Sequence, residues 1–310
     1  MNSTIKAVID IGTNTFHLLI VEVDSLNNIK VIHKNTIAVK LGEGGVNKGF
    51  ITDAAYQRGI DALIVYRKEL DEHEIKDVFA TATAAVRDAS NGEAFIKEAL
   101  EKANIKITLI DGLKEATYIY AGTKGAGILN DQIALIMDIG GGSVEFIICN
   151  EHKIFWKNSY QLGAARLLAD FYTSESPIAD DIIKQMEAVF EDKTVGLFKA
   201  IQEFKPQELI GTAGSFDSFA NITAKRKNMI FDASIMRDFH FDLASFKTLL
   251  KEIISSSHQE RIDMEGLIPL RIDMILMASI LTQYILNKGK LKKVTTCTYS
   301  LKEGLLLSEG

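Results

Sequence analysis

The residues with the clearest capacity for chemistry lie in two short stretches, DIGTN at 10–14 and DIGGGSVEF at 138–146, each directly behind an apolar run. A strand, a glycine turn and a second strand expose several backbone N–H groups at one corner, and such a corner is an anion-binding concavity. Gly12, Thr13 and Asn14 would form one corner, and Gly140, Gly141, Gly142 and Ser143 the other. Both stretches open on an aspartate, Asp10 and Asp138, and a bare carboxylate beside a phosphate is repulsive. A hard divalent cation between the two removes the conflict, since Mg2+ binds carboxylates, phosphate oxygens and water together. Glu145 follows Asp138 past the turn, so its side chain can return to the same place. Asp10, Asp138 and Glu145 are therefore the candidate ligands for Mg2+ or another divalent cation. The plainer alternative is two ordinary hairpins with glycine for tight geometry, and the repeated Asp-x-Gly weighs against it.

Hydrolysis also needs a group that activates water. Glu115 stands just behind a strand-like run at 105–110, in the first turn of the next helix, and a strand-end carboxylate in partly apolar surroundings can act as a general base. An acid that merely complements the helix dipole is the alternative. In TATAAVRDASN at 81–91, Thr81, Thr83 and Ser90 are turn and cap donors, and Arg87 can clamp a phosphate with its planar fork or be paired within the protein. Other features are weaker. GTKGAG at 122–127 lacks the ending of a phosphate loop and reads as an interdomain hinge. Lys288, Lys290, Lys292 and Lys293 could guide a polyanion or form a solvated loop, and His17 alternates with apolar neighbours in its strand. No Ser-His-Asp or Cys-His arrangement follows from spacing.

Runs at 5–11, 15–23 and 29–40 read as strands, followed by the Gly-rich loop LGEGGVNKG at 41–49. Thr52 offers an N-cap for a helix to about 73, with Tyr56, Ile60, Leu63, Ile64 and Leu70 at helical spacing on one face. A strand at 75–81, a helix around 92–104, a strand at 105–110 and a helix from about 113 complete a βββαβαβα order. The second half restarts with strands at 132–138, 143–149 and 152–158, then a largely helical stretch from about 163 to 204. A strand at 207–211 leads into GTAGSFDSF, followed by more helices, a strand at 291–297 and a final helix from about 300. Aligning 8–21 with 136–149 superposes Asp10 on Asp138, Gly12 on Gly140 and Ile20 on Ile148. The expected fold class is α/β: two duplicated domains, 1–124 and 125–310, each a mixed sheet flanked by helices, facing each other across a cleft. The final helix, about 300–310, is free to pack back on the first domain.

A 310-residue chain with 47% hydrophobic and 25% charged residues has the composition of a soluble globular protein. Its net charge of −6 argues against a general nucleic-acid binder. No long uncharged apolar run and no basic leader with a cleavage site are evident, so neither a membrane span nor a signal peptide is expected. Cys149 and Cys297 sit in apolar or β-branched segments and read as core residues, which suits a reducing cytoplasm.

With both turns, Glu115 and TATAAVRDASN in this order, the chain resembles the exopolyphosphatase / guanosine pentaphosphate phosphohydrolase family, within the actin-like (ribonuclease H-like) superfamily. VIDIGTNTFHLLI is similar to the first phosphate motif, DIGGGSVE to the second, and GTAGSFDSF to the third, which contacts adenosine in the wider superfamily. The resemblance implies that Glu115 is the base for water attack on a terminal phosphoryl group. It also implies that Asp138 and Glu145 hold Mg2+ and that Arg87 helps bind the substrate, inorganic polyphosphate or guanosine pentaphosphate. A homodimer is expected by analogy. Lys114 stands where members often have a second acid, and Lys302 where an arginine is common. Longer members carry a further helical region, so a two-domain form is expected to prefer shorter polyphosphates or to act less processively. A small-molecule kinase and a binding-only sensor are the other readings open to these motifs.

Overall fold

A computed structural model of the chain describes residues 3–25, 29–76, 78–172 and 177–308. The chain divides into two compact units, Met1–Gly122 with Leu301–Gly310, and Thr123–Ser300. The first unit is built on strands β1 (Thr4–Ile11), β2 (Phe16–Val23), β3 (Ile29–Ile37), β4 (Phe79–Ala82) and β5 (Ile107–Leu109), in the spatial order β3-β2-β1-β4-β5. The first three are antiparallel hairpin partners, while β4 and β5 join in parallel through crossover helices.

The second unit uses β6 (Ala134–Ile139), β7 (Val144–Cys149), β8 (Ile154–Tyr160), β9 (Glu208–Thr212), β10 (Asp238–Phe241) and β11 (Lys293–Cys297), in the order β10-β11-β9-β6-β7-β8. Read from the opposite edge, β8-β7-β6-β9-β11 repeats the first sheet, directions included, and β10 is an added antiparallel edge. The duplication visible at Asp10 and Asp138 thus extends through five strands. Two mixed sheets of this order, each flanked by helices, are the actin-like fold.

Each unit has its own core. In the first, Ile9, Ile11, Phe16, Leu18 and Ile20 pack against Ile60, Leu63, Tyr66 and Leu70 of helix Asp53–Glu72 and Phe95 of helix Gly92–Ala103. Thr52 caps the first of these helices, its side chain accepting from the Ala55 N–H. Tyr66 is fully buried because its hydroxyl donates to Phe16 O at 2.7 Å. Helix Leu301–Ser308 belongs to this unit: it packs on β1, where Lys6 Nζ donates to Leu306 O at 3.4 Å. Gly304 lies so close to helix Gly112–Gly125 that a Cβ would stand 1.8 Å from Tyr118 O and 3.0 Å from Gly122 N. The larger second core is lined by Met137, Phe146, Phe190, Phe216, Phe219 and the buried face of helix Met274–Gly289.

Departures from the sequence reading are local. The segment 122–125 continues helix Gly112–Gly125, and the division between units falls at Gly122/Thr123 inside that helix rather than in a loop. The helical stretch after 163 consists of Ala164–Phe171, Asp180–Lys193 and Val195–Phe204. Residues 77, 173–176 and 309–310 of the expected elements lie outside the described residues. β10 was not anticipated. Cys149 and Cys297 are fully buried, and burial pushes the Cys149 thiol up to about 12. Among the described residues no helix is long and apolar enough to cross a membrane.

Candidate active site

The two glycine turns are the same structure made twice. Gly12 N donates to Thr15 O at 3.1 Å, and Gly140 N donates to Ser143 O at 3.1 Å. A Cβ on Gly12 or Gly140 would fall 2.9 or 3.0 Å from that same carbonyl oxygen, so a side chain at either position would push the turn open. The amides of Thr13, Asn14, Gly141 and Gly142 donate to no acceptor among the described residues. Asn14 Nδ2 is buried without a partner among them as well. Donors left unpaired in this way point to an anion or ordered water.

Each turn is braced from behind. Lys40 N and Gly42 N donate to the carbonyls of Asn14 and Thr13 at 2.8 and 2.9 Å, so the start of the Gly-rich loop at 41–49 backs the turn. In the second unit, Ala164 N donates to Gly140 O at 2.9 Å and Ala165 N to Gly141 O at 2.9 Å, while Arg166 Nε donates to Gly142 O at 2.8 Å. The carbonyls are thereby turned toward the scaffold.

The carboxylates fall on the strands as the hairpins dictate. A turn over 140–143 pairs Ile139 with Val144 and puts Asp138 opposite Glu145, on one face of the sheet. Both are buried. Asp138 Oδ2 accepts from Thr212 Oγ1 at 2.5 Å and from Ser300 Oγ, and Glu145 Oε1 accepts from Ser159 Oγ at 2.6 Å. Two adjacent buried carboxylates surrounded by hydroxyls are an all-oxygen donor set suited to a hard cation such as Mg2+. Asp10 occupies the matching place in the first unit, half-buried, in register with His17 on β2 and Thr81 on β4. Thr81 is buried, and its hydroxyl makes no hydrogen bond among the described residues. His17 bonds Thr15 and Thr36 through its two ring nitrogens, both at 2.9 Å.

Glu115 and Arg87, read from separate segments, meet within the first unit. Arg87 Nη1 lies 3.7 Å from Glu115 Oε2, donates to Ile110 O at 3.1 Å, and Nε contacts Asp88 Oδ1 at 3.2 Å. Glu115 is only 7% exposed, and Arg87 Nη2 has no partner among the described residues. Arg87 is therefore an internally oriented arginine with one amino group still available, rather than a freely moving clamp.

Sequence reasoning missed the residues that come from far along the chain. Thr212 and Ser300 reach Asp138 from 74 and 162 residues away, with no local signal. In GTAGSFDSF, Ala213 adopts φ +67, and the Arg271 guanidinium lies so near Gly214 that a Cβ there would stand 2.0 Å from Nη2. Burial lowers the Arg271 pKa, with Asp217 opposing the shift. A separate group, Asp131, Glu151 and His152, brings three metal-ligating atoms within 4.8 Å of one another at the start of β6 and the β7–β8 turn. Hydrogen bonding within the group explains it, with His152 Nε2 2.8 Å from Asp131 Oδ1.

Sheet order and paired Asp-x-Gly turns thus define a duplicated actin-like protein. The model of the Ppx/GppA phosphatase family matches residues 19–310, and the chain belongs to that family. A bifunctional 3-dehydroquinate synthase/phosphatase of Fusobacterium nucleatum is 32% identical over 299 residues, 92% of this chain and 44% of that protein. A putative exopolyphosphatase of Haemophilus influenzae is 23% identical over 97% of this chain and 90% of its own length. A guanosine-5'-triphosphate,3'-diphosphate pyrophosphatase of Aeromonas hydrophila is 26% identical over 98% of this chain and 59% of its own. The chain therefore spans less than two thirds of the Fusobacterium and Aeromonas relatives. The crystal structure of an exopolyphosphatase from Cytophaga hutchinsonii is similar with a TM-score of 0.94 and 38% identity, over 99% of this chain and 97% of that one. The Aquifex aeolicus PPX-GPPA enzyme shares the fold at a TM-score of 0.81 and 21% identity, over 99% and 100% of the two chains.

Proposed function

We propose that the chain is an exopolyphosphatase that releases terminal orthophosphate from inorganic polyphosphate by direct water attack. The observation that carries this reading is the placement of the buried Glu115 carboxylate 3.7 Å from Arg87, joining a base to a cation that favours phosphate. Glu115 takes a proton from the attacking water. Arg87, fixed by Ile110 O and Asp88, keeps Nη2 for the substrate anion. The unpaired amides of Thr13 and Asn14 in one unit, and of Gly141 and Gly142 in the other, are the proposed phosphate holders, with Gly12, Gly140 and Ser143 shaping their turns.

Asp138 and Glu145 would hold Mg2+, with Asp10 as a candidate acidic ligand in its own unit. When bound, the ion supplies charge neutralisation for the phosphoryl oxygens. Phosphoryl transfer of this type depends mainly on positioning and electrostatics, which fits a site made of amides, hydroxyls and carboxylates. The names of the Haemophilus relative and the Cytophaga structure support polyphosphate as the substrate. That of the Aeromonas relative supports a second reading, hydrolysis of guanosine pentaphosphate at the same residues.

The test is to incubate purified protein and Mg2+ with length-defined polyphosphates, guanosine pentaphosphate or ATP and to measure released phosphate. Polyphosphate turnover with the highest kcat/KM is expected. Preferential pentaphosphate turnover would select the second reading. ADP formation that requires an added acceptor would point to a kinase, and tight binding without turnover to a sensor.

A further inference from the structure

The duplication reaches down to single side chains. In the second unit a row of polar residues crosses one face of the sheet: Ser159 on β8, Glu145 on β7, Asp138 on β6 and Thr212 on β9, each in register with the next. In the first unit the same four places are taken by Thr36 on β3, His17 on β2, Asp10 on β1 and Thr81 on β4. Both rows carry a hydroxyl at each end. The second unit uses both, Ser159 Oγ donating to Glu145 Oε1 at 2.6 Å and Thr212 Oγ1 to Asp138 Oδ2 at 2.5 Å. In the first, Thr36 Oγ1 meets His17 Nδ1 at 2.9 Å, but Thr81 Oγ1, in register with Asp10, bonds nothing among the described residues.

Thr81 is 2% exposed, so bulk water cannot satisfy it, and a buried donor without an acceptor is costly. It lies on the side of the sheet opposite Ile9 and Ile11, the side on which Lys6 reaches helix Leu301–Ser308. Helix Gly112–Gly125, which carries Glu115, packs against that helix at Gly304.

The anion assigned to the first unit's turn supplies a reason for the unused donor. Asp10 stands two residues before Gly12, close in sequence to the Thr13 and Asn14 amides proposed to hold a phosphate, and like charges so placed repel. Asp138, in the matching place, is steadied by two hydroxyl donors on its Oδ2. Asp10 has a donor in register on the adjacent strand, carried by a β-branched side chain whose χ1 is restricted. We infer that Thr81 is the positioning residue of Asp10: when a phosphate occupies the first unit's turn, the Thr81 hydroxyl donates to the Asp10 carboxylate and draws it back from the anion. The place of this step in catalysis rests on the hydrolytic reading above, while the hydrogen bond itself is testable without turnover.

The experiment compares Thr81→Val and Thr81→Ser with the whole parent protein by thermal unfolding, calorimetric titration with inorganic phosphate, and phosphate release from polyphosphate. Without phosphate, Thr81→Val is expected to unfold at or above the parent temperature, because it removes a donor that has no acceptor, whereas Thr212→Val should unfold lower. Thr81→Val is expected to weaken phosphate binding about tenfold, the worth of a hydrogen bond to a charged group, and to lower kcat/KM by at least that factor. Thr81→Ser, which keeps the hydroxyl, should restore most of both. In an Asp10→Ala background Thr81→Val should have no further effect on phosphate binding. The inference is overturned if Thr81→Val binds phosphate as tightly as the parent, or if the parent binds none. It is overturned too if Thr81→Val destabilises the phosphate-free protein as Thr212→Val does, or if its effect persists undiminished after Asp10→Ala. A parent that binds phosphate but releases none from polyphosphate, guanosine pentaphosphate or ATP ends the hydrolytic reading, and the phosphate titration still decides the role of Thr81.

Discussion

Replacing Glu115 by Gln keeps the size and most of the hydrogen-bonding capacity of the side chain while removing its charge and basicity. Arg87 stands 3.7 Å away, an attraction of about 4 kcal/mol at an effective dielectric of ~20. Most of that is offset by desolvation, and Arg87 keeps Ile110 O and Asp88 as partners in the variant. The net stability cost should be about 1.5–3 kcal/mol, the range of an interaction with a charged partner, which moves the melting temperature by only a few degrees in a protein of this size. The catalytic effect should be much larger, because losing a positioned general base typically removes a factor of about 100–10,000 in kcat. Phosphate release is to be measured under saturating substrate at several pH values, alongside thermal unfolding and polyphosphate binding by calorimetry. The expected combination is a large fall in kcat, nearly unchanged substrate affinity and a small thermal shift. A Glu115→Gln protein that releases phosphate at the parent rate would falsify the assignment of the base. A fall in rate matched by collapse of the fold would show a structural role instead.

Thr212→Val and Ser300→Ala each remove one hydroxyl donor from Asp138, and each should cost about 1.5–3 kcal/mol in stability and raise the Mg2+ concentration needed for half-maximal activity. Unfolding curves and metal titrations check this, and an unchanged metal requirement in both variants would separate Asp138 from the cation. Gly12→Ala and Gly140→Ala should destabilise by about 1–3 kcal/mol each, since the added methyl meets Thr15 O or Ser143 O at about van der Waals overlap. Comparable losses in denaturant titrations are expected, and tolerance of either change would contradict the closure argument. Stability should also fall in alkali. Cys149, ordinarily at 9.0, and Tyr56, ordinarily at 10.0, are both raised to about 12, by burial first and, for Tyr56, by Glu98 as well. The folded state keeps these protons while the unfolded state releases them, so their contribution is intact below about pH 9 and is lost progressively toward 12. Denaturant midpoints measured across that range should decline, with a shallower decline in Cys149→Ala.

What could be read from the sequence was whatever is encoded locally. Asp-x-Gly behind an apolar run identifies both turns. Counting outward from 140–143 pairs Asp138 with Glu145. The five repeated strands follow from alternation and from the restart of the βββ pattern at residue 132. Partners supplied by tertiary folding left no such trace: Thr212 and Ser300 are ordinary hydroxyl residues until the fold carries them to Asp138. β10 was missed because DFHF is four residues long and at a sheet edge, too short for period-two alternation to stand out. The glycines of GTKGAG suggest a break, yet Gly122 continues helix Gly112–Gly125, and Gly304 packs against that helix at a distance that leaves no room for a Cβ.

Helix Leu301–Ser308 has a consequence for the order in which the protein is made. It completes the unit that begins with β1, and Lys6 and Leu306 are joined across 300 residues of chain. Every strand and helix of the Thr123–Ser300 unit leaves the ribosome before that helix does. The later-starting unit can therefore reach its native state first during translation, while the earlier-starting one waits with an uncovered face of β1. The wait is a window in which that face depends on its own β1 residues or a chaperone, and slowing synthesis just ahead of codon 301 would prolong it.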